Sequence, residues 1–289
     1  MTSQHKGTLV VHTGGIGDFL LACPSIERLS EAGPVELLGQ KDRLQIAVVG
    51  GIVETAHNLE SVDFQTIFDE PSGKLREFLA SFRHVVIWMN DDDGSIRRGL
   101  ESCGVQRYDI HPGLPPKEWG QHASAYYLDR LGMPTAPAFR LRITPSETTH
   151  DVVIHPGSGS AKKNWPLERF MALAQSLDSS ARSVSWCLGP AELEFPGDEF
   201  THVLGDARRI ETESLVELAG QLAASRHFIG NDSGITHLSA AVGCPTVSLF
   251  GPTRPEVWAP RGIPTLRFDE ANPEVLAKII CESSFQREA

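Results

Sequence analysis

The chain has cysteines but none of the cysteine patterns that mark a zinc site, a redox motif or a disulfide framework. Cys23, Cys103, Cys187, Cys244 and Cys281 lie far apart, with no CxxC and no Cys/His zinc spacing. An odd count without pattern predicts mostly buried, reduced thiols and a reducing cytoplasm. Long apolar runs are missing as well. Nothing approaches the ~20 residues of a membrane span, and residues 1–6 lead into a strand-like segment with no signal peptide. A cytoplasmic protein is expected, peripheral at most to the inner face of a membrane. A basic surface is also lacking. The net charge is −11, from 26 basic and 37 acidic residues. Residues 1–150 hold 14 basic and 19 acidic residues, which leaves 12 and 18 for the remainder, so neither half is a platform for nucleic acid or anionic lipid. Two nucleotide-binding signatures, GxGxxG and GxxxxGK[ST], are absent.

What is present is an αβ alternation. The 289 residues, 40% hydrophobic and 22% charged, suit two domains of roughly 150 residues. Residues 8–13 read as a buried parallel strand, followed by Gly14-Gly15-Ile16-Gly17-Asp18 and a helix. Asp18 thus stands at the carboxyl end of the first strand, the edge at which open α/β sheets bind ligands. Its other reading is a helix cap. Residues 35–39, 54–58, 66–68 and 84–89 read as strands, and 42–49, 73–82 and 119–131 as helices. Asn90-Asp91-Asp92-Asp93-Gly94 follows the 84–89 strand. Its three carboxylates invite comparison with the DxD motif of metal-dependent sugar transferases. With no second acidic cluster nearby, capping residues are the expectation and no metal is assigned. Residues 135–149 carry two prolines and many small polar residues and are the expected linker, with 139–143 a short strand inside it.

The second half begins again with a strand at 151–155. The loop Pro156-Gly157-Ser158-Gly159-Ser160-Ala161-Lys162-Lys163-Asn164 follows, and then a helix from Trp165-Pro166. Backbone N–H groups, hydroxyls and an ammonium in one loop are phosphate-binding chemistry in outline, against the reading of a surface loop with solvated lysines. Strand 183–188 and helix 213–222 come next. Residues 227–230 then lead into Asn231-Asp232-Ser233-Gly234-Ile235-Thr236-His237. This reads as a strand, a tight turn and a helix, with Asp232 or Asn231 as cap. A helix N-terminus at Ser233-Gly234 attracts an anion through unpaired donors and its dipole, and His237 lies one turn inside. The bland reading is a capped helix with a buried histidine. Strands at 245–250 and 265–268 and a helix at 272–282 complete the chain, with Trp258 in a proline-rich loop between them.

These motifs resemble those of the family 9 glycosyltransferases, the heptosyltransferase type that builds the lipopolysaccharide inner core. The likeness rests on Gly14-Gly15-Ile16-Gly17-Asp18 with Pro24, and on His155-Pro156-Gly157-Ser158-Gly159-Ser160 with Lys163-Asn164-Trp165-Pro166. The third part is Asn231-Asp232-Ser233-Gly234 with His237 and Phe250-Gly251-Pro252-Thr253. The resemblance implies a GT-B fold: α/β, two Rossmann-like domains with parallel sheets facing across a cleft. The acceptor domain would be 1–145 and the nucleotide-sugar domain 151–270, with a helix in 271–289 crossing back to the first. It implies an inverting, metal-independent transfer from a nucleotide sugar, typically ADP-heptose, to a saccharide or glycolipid acceptor such as the lipopolysaccharide core. No cofactor other than the sugar donor is expected. By the same resemblance Asp18 is the general base. Lys163 neutralises the donor diphosphate with Ser158 and Ser160 beside it. Asp232 holds sugar hydroxyls, and Ser233, Gly234 and His237 contact phosphate. Two other readings remain open: an epimerase or hydrolase of the same fold, and a binding module without turnover.

Overall fold

The computed structural model describes residues 6–136, 138–189, 207–210 and 212–282. The chain divides into two compact units, residues 1–139 and 140–289.

Unit 1 alternates strand and helix. β1 (Lys6–His12), α1 (Ile16–Glu31), β2 (Val35–Gly39), α2 (Lys41–Val49) and β3 (Thr55–Asn58) come first, then 3-10 turns at Glu60–Val62 and Phe64–Phe68. α3 (Gly73–Ala80), β4 (Phe82–Trp88), α4 (Ser95–Ser102), β5 (Tyr108–His111) and α5 (Ala123–Arg130) complete it. The five strands are all parallel, in the order β3-β2-β1-β4-β5. Parallel strands are covered on both faces, so the central ones must be continuous apolar runs. Leu9, Val10 and Val11 of β1 and Val85, Val86 and Ile87 of β4 are fully buried. On one face Leu9, Val11, Val85 and Ile87 pack with Phe64, Ile67, Leu75, Leu79, Ile96 and Leu100.

Two local readings change. Residues 66–68, expected as a strand, form the end of a 3-10 turn. Phe64 and Ile67 are buried while Phe68 is 45% exposed, an i, i+3 spacing that a strand cannot bury on one face. The Thr66 hydroxyl donates to the Asp63 carbonyl at 2.8 Å and helps close the turn. Strand β5 was not anticipated. It is a short edge strand whose four residues are all half-buried, so it has no apolar run to announce it.

Unit 2 repeats the plan. β6 (Val152–His155), a 3-10 turn at Ala161–Lys163, α6 (Leu167–Ser179), β7 (Val184–Cys187) and β8 (Arg209–Ile210) lead to α7 (Leu215–Ala224) and β9 (His227–Asn231). Then come α8 (Gly234–Ala241), β10 (Thr246–Phe250), α9 (Pro255–Trp258), β11 (Thr265–Arg267) and α10 (Pro273–Glu282). The six parallel strands run β11-β10-β9-β6-β7-β8. Their core joins Ile154, Ile229 and Leu249 to Trp165, Phe170 and Leu177 of the α6 region and to Leu276 and Ile280 of α10.

Residues 140–150 are part of this unit, not a free linker. The Leu141 amide donates to the Ala241 carbonyl at 2.8 Å and the Ser146 amide to Gly220 at 2.9 Å. The segment 139–143 is not a strand: its Leu141 amide bonds the last residue of α8 instead of a ladder. Helix α10 packs along α6 within unit 2, and residues 283–289 of the expected last segment lie outside the described residues.

Candidate functional site

In each unit the chain adds strands to one side of its first strand and then jumps to the other. The jump falls between β1 and β4 in unit 1 and between β6 and β9 in unit 2. Loops leaving the carboxyl ends of those adjacent strands diverge, and the gap is where open α/β sheets bind ligands. Nearly all the residues singled out from sequence sit at these two points.

In unit 2 the loops after β6 and β9 are tied together by Asn231, which is completely buried. Its Oδ1 accepts from the Trp165 amide at 3.0 Å and its Nδ2 donates to the Pro156 carbonyl at 2.7 Å. Asn231 therefore does not cap α8. Ser233 does, accepting from the Thr236 amide at 3.2 Å. Asp232 does not cap α8 either. Its side chain is 7% exposed and lies 2.9 Å from Lys163 Nζ, and the Thr253 hydroxyl donates to it at 2.7 Å. The fold thus joins Lys163, Asp232 and Thr253, residues up to ninety positions apart, in one polar cluster at the sheet edge. A buried carboxylate needs such a partner, because desolvation of an unpaired charge costs several kcal/mol. Lys163 carries three N–H donors, so one bond to Asp232 leaves donors for a second anion.

The remaining unit 2 candidates surround this cluster. Ser158 is part of the loop's own scaffold: its hydroxyl lies 2.6 Å from Asn164 Oδ1 and 2.8 Å from the Ser160 carbonyl. Ser160 is exposed on the same loop. Gly234 opens α8, and His237, 8% exposed, lies in its first turn with its amide bonded to the Ser233 carbonyl at 3.2 Å. Thr253 ends the Phe250-Gly251-Pro252-Thr253 motif. Its place beside Asp232 follows from β10 lying next to β9 in the sheet.

Asp18 is placed in unit 1. It is the third residue of α1, and its Oδ2 accepts from the Gly15 amide at 3.1 Å. This bond gives the carboxylate the capping role that the sequence allows. Beneath it lies His12, 2% exposed, which contacts Phe19 edge-to-face. Burial, with a smaller contribution from the charge of Arg43, lowers its pKa from 6.5 to about 4, so the ring is neutral at physiological pH. Gly14 is required by this packing: a Cβ there would stand 2.9 Å from the His12 ring and 3.2 Å from Asp18 Cβ.

Asp18 lines a cavity of about 820 Å³ at the carboxyl ends of β1, β4 and β5. Trp88, Trp119, Tyr126, Asp92 and Arg130 share its wall. Of these, the sequence marks only Asp92, as one of three expected capping carboxylates, and the other four carry no sequence signal of a site. The triple carboxylate divides its labour. Asp91 accepts from the Ile96 and Arg97 amides at 2.8 and 3.1 Å, and Asp93 accepts from Ser95 at 3.0 Å. Both cap α4, and the Ser95 bonds draw the Asp93 carboxyl below its ordinary range. Asp92 is left facing the cavity. Among the described residues no group of three or more His, Cys, Asp or Glu side chains is placed to hold a metal ion.

Two parallel-sheet α/β units with polar clusters at their switch points define a protein of the GT-B class. The solved E. coli ADP-heptose lps heptosyltransferase II shares this fold, with a TM-score of 0.74 at 15% identity over 94% of this chain and 96% of that one. E. coli heptosyltransferase WaaC with ADP gives 0.65 at 18% identity, covering 96% and 98%. Residues 135–266 match the model of glycosyltransferase family 9 (heptosyltransferase). Over that segment the chain is similar to glycosyltransferase family 9. Among curated relatives, lipopolysaccharide heptosyltransferase 1 of Pseudomonas aeruginosa is 29% identical over 68% of this chain. The match spans 57% of that relative's length. No helix among the described residues is long and apolar enough to cross a membrane.

Proposed function

We propose that the chain is an inverting glycosyltransferase that moves a heptose from ADP-heptose to a saccharide acceptor of the lipopolysaccharide-core type, without a metal ion. The observation that carries this reading is the Lys163 ammonium 2.9 Å from the buried Asp232 carboxylate, beside the N-terminus of α8. That is an arrangement for a charged, hydroxyl-bearing donor. The names of the relatives, heptosyltransferases of lipopolysaccharide and one bound to ADP, support the choice of sugar and nucleotide.

Inverting transfer is an in-line displacement. An acceptor hydroxyl loses its proton to a base as its oxygen attacks the anomeric carbon, and the bond from that carbon to the diphosphate oxygen breaks. Asp18 takes the proton, held in orientation by its bond from the Gly15 amide. The leaving diphosphate gains negative charge. Lys163 and the amide donors of Ser233 and Gly234, reinforced by the α8 dipole, meet that charge. Ser158 and Ser160 shape the loop that carries Lys163, His237 adds a side-chain contact to phosphate, and Asp232 accepts from donor-sugar hydroxyls. A lysine and a helix N-terminus together take the place a divalent cation would fill.

The test is a paired assay in the presence of a chelator. Asp18→Asn is expected to bind ADP like the parent while turnover falls at least ~100-fold, the scale of general-base removal. Lys163→Ala is expected to weaken ADP binding about tenfold or more, since charge-assisted hydrogen bonds contribute ~1.5–3 kcal/mol. Parent-like turnover in Asp18→Asn would remove the base, and parent-like ADP affinity in Lys163→Ala would remove the diphosphate site.

A further inference from the structure

The cavity around Asp18 has a chemical character of its own. Its charged lining consists of two carboxylates, Asp18 and Asp92, and one guanidinium, Arg130. Arg130 is already engaged: it bonds the Asp129 carboxylate at 2.7 Å and lies over the Tyr126 ring at 5.7 Å. Arg43, whose charge acts on Asp18 from outside the lining, is itself half-exposed and flanked by Asp42. An acidic ligand would therefore meet a surface of its own sign, and like charges brought together strongly disfavour a wrong partner.

The neutral part of the lining is equally specific. Trp119 is half-buried and stands edge-to-face against Tyr126 at 5.5 Å, which fixes its plane. Leu114, 49% exposed, and Pro116 continue the apolar wall. A rigid indole beside carboxylates suits the C–H face of a sugar ring whose hydroxyls point outward. Trp88, 1% exposed, lines the same cavity, and its indole N–H has no hydrogen-bond partner among the described residues. That nitrogen is itself buried, so it is the Trp88 ring that forms part of the wall. A sugar hydroxyl can donate to Asp92 or Asp18. A carboxylate or phosphate can only accept.

We propose that this cavity binds an uncharged, hydroxyl-rich glycosyl unit as the acceptor, stacked on Trp119 and hydrogen-bonded to Asp92, and discriminates against acidic sugars. The proposal rests on the transferase reading and names the class of acceptor for it. Binding is read by saturation-transfer NMR and calorimetry on the full chain, without nucleotide sugar. The probes are neutral hexose disaccharides and the same disaccharides oxidised to uronic acids at the non-reducing end. Neutral probes are expected to bind at least tenfold more tightly than their uronic counterparts. Trp119→Ala is expected to lose tenfold or more in neutral-probe affinity, and Trp119→Phe to recover part of it. Asp92→Lys is expected to narrow or reverse the preference. Equal or tighter binding of the uronic acids, no binding of any neutral probe, or parent-like affinity in a folded Trp119→Ala protein overturns the proposal. Failure of the transferase reading would be seen elsewhere, as absent turnover despite bound ADP-heptose and bound glycan.

Discussion

His12 shows how one buried side chain couples the floor of unit 1 to pH. Its pKa falls from 6.5 to about 4 because the ring is desolvated, and its Nδ1 has no partner among the described residues to offset that. The sign follows from linkage. Below pH 6.5 the unfolded chain binds a proton that the folded chain refuses until about pH 4, so this group's contribution is complete above 6.5 and lost as pH falls. Two and a half units at 1.36 kcal/mol each bound the effect, so about 3 kcal/mol is lost between pH 7.5 and pH 4. Urea unfolding at the two pH values should show a smaller acid loss in His12→Leu than in the parent. An equal loss in both proteins would locate the acid sensitivity elsewhere. Asp18, directly above, shows a different economy at the same scale, since one carboxylate both caps a helix and lines a cavity.

At the scale of elements, the strands were the most legible part of the sequence. Residues 35–39 stand as read, because Val35, Leu37 and Leu38 are apolar and buried about a single half-buried Glu36, with a glycine at the end. Where a segment lacked such a run, or carried one with another period, the reading failed. Residues 64–68 close as a 3-10 turn because burial every third residue outweighs their β-branched and aromatic content. The capping residue of α8 was misplaced by one or two positions, because Asn, Asp and Ser all cap well and only tertiary partners decide among them. Asn231 is drawn to Trp165 and Pro156, Asp232 to Lys163, and Ser233 remains for the cap. The last helix gives a prediction at this scale. Leu276 of α10 is fully buried against the α6 core, so Leu276→Ala should cost about 2–5 kcal/mol in urea unfolding. A loss below 1 kcal/mol would mean that α10 is peripheral to the core of unit 2.

At the scale of the whole molecule, two units of like plan carry two unlike sites. The site in unit 2 is a preformed charge cluster, and the site in unit 1 is an aromatic-walled cavity with carboxylates. If unit 2 holds the nucleotide, ADP should slow amide hydrogen exchange chiefly at 156–165 and 231–237. Ligand at 100 times its dissociation constant stabilises its binding partner by about 2.7 kcal/mol. Protection confined to the loops of unit 1 would reverse the assignment of donor and acceptor sides.

By itself the sequence determined the αβ alternation, the parallel sheets and the three loops at strand ends. Those are local matters, decided by apolar runs, glycines and the residue types that follow a strand. It also singled out Asp18, Lys163 and Asp232, because each charge stands in a loop or helix start at the carboxyl end of a strand, the edge at which open α/β sheets bind ligands. Only the tertiary structure decided which residues meet. Lys163 finds Asp232 and Thr253 because β6, β9 and β10 lie side by side. Trp88, Asp92 and Trp119 join Asp18 because β4 and β5 follow β1 in the sheet. Strand order is set by how whole layers bury their faces, and no window of sequence around any one of these residues contains it.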